Sequence, residues 1–204
     1  MEPEQHMPYR TARLAAGAVA VLGLLTACSG ETGGTAEPPA STSASPGGNS
    51  GAPKVPASLP TQQLISDPCS ALGPDDATKV GFKSPGELDT SQQLPICHWT
   101  SPRTSGNQVA IGPLTPNKNG LSDTYALKPK QAYFEPTTVE GYPGVYASQS
   151  DARTRGSCAL TVGVTDQLAV VVTLTITEGP NKADPCTLTA RVAAAMIDHL
   201  KTAS

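Results

Sequence analysis

Charge and aromatic side chains are scarce in this chain. Charged residues make up 15% of its 204 positions and aromatics 4%, with a single tryptophan. Positive charge is in no surplus: 14 Lys+Arg stand against 17 Asp+Glu, a formal net charge of −3. Without a basic excess there is no general grip on phosphates, which argues against a nucleic-acid partner. No heptad pattern is sustained, so the chain is not a coiled coil. Long apolar runs are missing apart from one near the start, which excludes a polytopic membrane protein.

The sequence also lacks several catalytic and metal-binding signatures. There is no Cys-x-x-Cys pair, no Gly-x-Ser-x-Gly elbow, no Ser-x-x-Lys and no Gly-rich phosphate loop after a strand. Zinc sites and nucleophilic triads therefore have no anchor in the text. We expect no enzyme, no cofactor and no metal site.

The one apolar run is Leu14 to Leu25, preceded by Arg10 and Arg13 and followed by Thr26, Ala27 and Cys28. Such a run is short for a bilayer span and has the layout of an export signal. Leu25-Thr26-Ala27-Cys28 is similar to the bacterial lipobox. That resemblance implies that residues 1–27 are a signal peptide and that Cys28 carries a thioether-linked diacylglycerol. Glu2 and Glu4 are out of place in a positive leader, so the start is Met1 or Met7. Two or three acyl chains anchor stably where one is marginal. We thus expect a lipid anchor in the outer face of the cytoplasmic membrane.

Residues 28–60 follow as the lipidated cysteine plus a tether rich in Pro, Ser and Gly. Text this poor in Leu, Ile and aromatics cannot offset the entropy of ordering, and it reads as disordered.

Residues 61–204 remain as one domain. They hold Cys69, Cys97, Cys158 and Cys186, an even number that reads as two disulfides in an exported protein. Three pairings are open. Asp67-Pro68-Cys69 and Asp184-Pro185-Cys186 repeat one tripeptide. In each, Asp suits the N-cap and Pro the first helical position. Cys97 and Cys158 lie in strand-like text. Stapling each helix start to a strand favours Cys69–Cys97 and Cys158–Cys186.

The coarse reading runs as follows. A helix opens at Pro68 and breaks at Gly73-Pro74, and a second runs from Pro74 to Val80. Strands are expected near 95–100 and 107–114. A short helix lies in 121–133, broken by Pro129. A strand pair or bent strand follows over 137–148. Residues 157–165 and 168–177 form a hairpin around Asp166-Gln167, with Leu168, Val170, Val172, Leu174 and Ile176 on one face. The last helix, 185–201, carries Leu188, Val192, Met196 and Leu200 in one stripe. The fold class expected is α+β: an antiparallel sheet of about five strands, covered on one face by the N- and C-terminal helices, with two disulfides.

Among residues with chemistry, His98 reads as a surface or structural side chain and His199 as part of a solvated helix face. Asp75-Asp76 reads as helix-start charge. Trp99 reads as core against the Cys97 disulfide. Tyr125, Tyr133, Phe134, Tyr142 and Tyr146 either fill the second sheet face or make a shallow groove.

The lipobox, the tether, the two Asp-Pro-Cys motifs, the Cys97-x-Trp99 strand and Cys158 together resemble a family of actinobacterial cell-envelope lipoproteins classed as a domain of unknown function. A looser similarity links the chain to the extracellular sensor domains of some actinobacterial kinases and to small envelope carriers. The resemblance implies an extracytoplasmic lipoprotein without assigned chemistry. Three readings are carried forward. The first is a non-catalytic module binding an envelope ligand or protein. The second is a carrier or chaperone for a lipid or other hydrophobic component. The third is a hydrolase with an unrecognised site.

Replacing Cys28→Ser should abolish incorporation of labelled palmitate and release the protein from membranes. Unchanged labelling would contradict the lipid anchor.

Overall fold

A computed structural model describes residues 51–203. The signal peptide, Cys28 and the tether before residue 51 lie outside the described residues. Described are helices α1 (Gln62–Ser66), α2 (Pro74–Lys79), α3 (Leu121–Ala126) and α4 (Pro185–Thr202). The strands are β1 (Glu87–Asp89), β2 (Ile96–Thr100), β3 (Gln108–Pro113), β4 (Tyr133–Val139), β5 (Tyr142–Ser148), β6 (Ser157–Gly163) and β7 (Ala169–Thr175).

The strands make one antiparallel sheet in the order β1-β2-β3-β7-β6-β5-β4. The α+β class holds, but the sheet has seven strands rather than about five. The two extra strands are its edges. β1 spans three residues and has no alternating pattern to read. β4 begins at Tyr133, inside the stretch read as helical, and contains Pro136, which argues against a strand in sequence text. Of the two readings of 137–148, a strand pair or a bent strand, the strand pair holds: the stretch is the end of β4 and all of β5, joined as a hairpin. Its two turn residues, Glu140 (φ 49°) and Gly141 (φ 87°), both take positive φ, as a tight primed turn demands.

Alternation decides the faces. On β7, Val170, Val172 and Leu174 are wholly buried. They line up across the sheet with Leu160 and Val162 of β6, Ile111 and Val109 of β3, and Cys97 and Trp99 of β2. Against this face packs the stripe of α4, Leu188, Val192, Met196, Ile197 and Leu200. Leu64, Ala71, Leu72 and Ala77 of the N-terminal segment join the same core. The helix expected at Pro68 is a single 3-10 turn, Pro68–Ala71, and α1 before it was not read.

Both disulfides pair as favoured. Cys69–Cys97 ties the 3-10 turn to β2 and Cys158–Cys186 ties β6 to the first turn of α4, with Cα–Cα distances of 5.0 and 5.2 Å. Each spans 28 positions of sequence. In the chain-entropy account, a loop of that size is worth roughly 3–4 kcal/mol. The caps are as read. Asp67 Oδ1 accepts from the Cys69 N–H at 3.0 Å, and Asp184 accepts from the Thr187 N–H at 3.3 Å and its hydroxyl at 2.6 Å. Trp99 packs beside the first disulfide so closely that a Cβ on Gly86 would come within 2.6 Å of its ring and 2.5 Å of Cys97 Sγ.

The domain boundary at residue 61 needs correction. The end of the tether is a strap on the domain. Lys54 Nζ lies 3.3 Å from Asp166 Oδ2, the Val55 N–H donates to Asp166 Oδ1 at 3.3 Å, and the Leu59 N–H donates to the Val164 carbonyl at 2.9 Å. Leu59 is buried in the core. A lone leucine amid Pro and Ser gives no periodicity, so this docking is invisible to pattern reading.

Leu59→Ala should lower unfolding free energy by about 2 kcal/mol, the lower end of core leucine truncations. Chemical denaturation checks this. An unchanged midpoint would mean that the strap is not part of the fold.

Candidate functional site

The covering helices occupy one sheet face. On the other, the cross-strand row His98–Ala110–Thr173–Ala159 runs over β2, β3, β7 and β6. All four side chains are partly exposed. The neighbouring row, Thr100–Gln108–Thr175–Ser157, is also small and hydroxylated apart from Gln108. This face is covered toward β5 and β6 and at the end of the sheet that holds Ala169 and Gly112, both buried. On the β5–β6 side Val145 and Thr161 are buried, and α3 and the strap approach Gly163, where an added Cβ would meet Val55 Cγ1 at 3.3 Å and Leu121 Cβ at 3.5 Å. What remains is a shallow surface of alanine, threonine, serine, Gln108 and one imidazole, bordered by half-buried Ile96 and Val171.

The titratable side chains singled out in sequence do not converge. His98 Nε2 lies 3.8 Å from Asp89 Oδ2 on the β1–β2 edge. His199 Nδ1 lies 3.2 Å from Asp76 Oδ2, joining α4 to α2. Asp75 and Asp76 fall in the first turn of α2, and Asp76 also meets Lys79 at 3.3 Å. Each of these residues serves an element contact or a helix end. Among the described residues, no group of three or more His, Cys, Asp or Glu could hold a metal ion.

The aromatics do not form a single platform. Tyr133, Tyr142 and Tyr146 project to the α4 side of the sheet, while Phe134 projects to the other side and meets Tyr125 of α3 edge-on at 4.9 Å. The split follows from β4 alternation: adjacent residues 133 and 134 must face opposite ways.

Two polar devices had no sequence signal. Arg153 forks onto Asp151, with Nη2–Oδ2 at 2.6 Å and Nε–Oδ1 at 2.9 Å, and reaches Glu135 Oε1 at 2.7 Å. Its guanidinium lies 4.1 Å from the centre of the Tyr133 ring, whose hydroxyl accepts the Ala159 N–H at 3.3 Å. Bidentate pairing of this kind is strong and directional. The Arg153 hydrogen bonds hold the Asp151 carboxyl down at about 2, and burial pushes the Tyr133 phenol up. Asn107 clamps the segment after β7. Its Nδ2 donates to the Glu178 carbonyl at 2.9 Å and its Oδ1 accepts from the Thr177 N–H at 2.8 Å. Both devices depend on loops that meet only in the folded chain.

Two grooves flank the edge strand β4. On the α3 side, one of about 340 Å³ is lined by Tyr125, Pro136, Thr138 and Pro143 together with Pro53 and Lys54 of the strap. On the α4 side, one of about 260 Å³ is lined by Thr137, Thr138, Glu140, Tyr146, Arg191 and Ala194, among others.

A family model described as "Protein of unknown function (DUF3558)" matches residues 23–199. No curated protein matches the chain.

Because the folded Asp151 carboxyl titrates below its unfolded value, the stability it contributes is present above the ordinary aspartate range. That contribution is lost as pH falls through about 2. NMR titration should place the Asp151 midpoint near 2, and Arg153→Gln should return it to the ordinary range. A midpoint unaffected by the substitution would refute the fork.

Proposed function

The chain belongs to the DUF3558 family, whose function is unknown, and from that premise we propose a non-catalytic binding module of the cell envelope, held on the outer face of the cytoplasmic membrane by a lipid on Cys28. The reading rests on one observation above all: four helical segments and both disulfides are spent on one sheet face, and on the opposite face the stretch across β2, β3, β7 and the start of β6 is left with half-exposed, mostly short side chains. This part of the face presents short side chains with hydroxyls at Thr100, Thr173, Thr175 and Ser157. It favours contact with a ligand or partner over chemistry on a bound substrate.

Further support is indirect. Two disulfides favour an oxidising compartment, in keeping with the lipobox around Cys28. Both histidines and Asp76 are held in structural pairs and Asp75 sits in the first turn of α2, which weighs against a hydrolase. The space between sheet and α4 is filled by Leu160, Val162, Val170, Val172, Met196 and Ile197, all at 0% exposure, which weighs against the carrier reading.

The test places charge on the open face. Ala110→Glu with Thr173→Glu, in neighbouring strand positions, should remove at least nine-tenths of the envelope material that cross-links to the wild-type protein in intact cells. Membrane retention should not change. His199→Gln, on the covered side, serves as the control. An unchanged cross-link pattern in the open-face variant would overturn this reading.

A further inference from the structure

The two edges of the sheet are unequal. β1 offers three residues, whereas β4 offers seven, Tyr133–Val139. Glu135, Pro136 and Thr138 of β4 are exposed. The two-residue turn at Glu140-Gly141 closes on the Val139–Tyr142 pair, so bonding to β5 alternates back along β4 from Val139. By that alternation Phe134, Pro136 and Thr138 direct their backbone groups away from the sheet. Pro136 therefore sits where its missing N–H costs the ladder nothing. The outward edge keeps donors at Phe134 and Thr138 and acceptors at all three positions.

The two grooves lie on opposite faces of this same edge, and both include Thr137 and Thr138. An extended peptide paired with β4 would send successive side chains to opposite faces, one into each groove. The α3-side groove, with Tyr125, Pro136 and Pro143, suits an aromatic or branched apolar side chain. The α4-side groove is lined by Arg191, an exposed cation with no ion pair among the described residues, and by Glu140 of the turn; its Arg191 end suits a carboxylate. A second copy of the chain fits less well: pairing β4 with itself would bring two Pro136 and two Glu135 onto one short edge.

We propose that the β4 edge binds an extended peptide segment of a partner protein by strand addition, with apolar side chains alternating with acidic ones. The inference rests on the binding-module reading and specifies its ligand class. The apolar positions occupy the groove beside Tyr125 and the acidic positions face Arg191.

The test uses the mature chain from residue 28 with Cys28→Ser, so that it stays in solution, and the blocked peptide acetyl-Thr-Glu-Tyr-Glu-Val-Glu-Thr-amide as probe. Backbone NMR should show saturable shifts centred on Phe134, Thr137 and Thr138. N-methylation of alternate peptide nitrogens should abolish them. Arg191→Glu should weaken binding at least tenfold, as should replacing the peptide's Glu by Lys. Thr138→Pro, which removes an outward donor, should also weaken it. The N-methylated peptide gives the same answer without altering the protein. Absence of saturable shifts at β4 up to millimolar peptide would overturn the proposal, as would shifts that survive N-methylation. Shifts at β4 that depend on protein concentration without peptide would overturn it in favour of a second copy. Failure here with open-face cross-links still sensitive to Ala110→Glu and Thr173→Glu would remove the peptide inference alone and leave the binding module standing.

Discussion

Each half of this domain hangs on a covalent tie between the start of a helical segment and a strand. Cys97 and Cys158 are buried in the sheet, and their partners Cys69 and Cys186 sit one residue after a proline that opens a helical turn. The Asp-Pro pair before each helical cysteine sets where the turn begins, by a cap and a fixed φ. The disulfide then sets which sheet face that turn must cover. Because Cys97 and Cys158 point to the same face, both helical ends of the chain are drawn to one side. The core of valine, leucine and isoleucine follows from that choice.

The consequence for function is subtractive. Once α2, α4 and the N-terminal turn are committed to one face, the other is left to α3 and the strap, which cover only part of it. The row from His98 to Ala159 and the β4 edge are the surfaces that remain. The strap matters here because it supplies Pro53 and Lys54 to one wall of the α3-side groove. A segment read as mere spacer thus helps to shape a candidate binding surface.

How much of this was legible in sequence depends on whether an element is buried on one side. β7 and α4 were readable because each pairs a buried stripe with a more exposed one, and that contrast sets a period. The disulfide pairing was readable because the same Asp-Pro pair precedes two of the four cysteines. β1 and the first part of β4 were not, since an edge strand has little burial contrast, and Pro136 is tolerated only at an edge whose position depends on strand order. Leu59, Asn107 and Arg153 were illegible for a related reason. Each works through a partner distant in sequence, at Val164, Glu178 and Glu135, and no local spacing records such a meeting. The sulfur frame was visible in the chain, whereas the surfaces it leaves open were not.

The most direct check is peptide mapping of the protein taken from membranes without reduction, with free thiols blocked at lysis. The account predicts two cross-linked peptide pairs, Cys69 with Cys97 and Cys158 with Cys186, and no blocked thiol among the four. Blocked thiols at these positions, or a bond between the two halves such as Cys97 with Cys158, would contradict it.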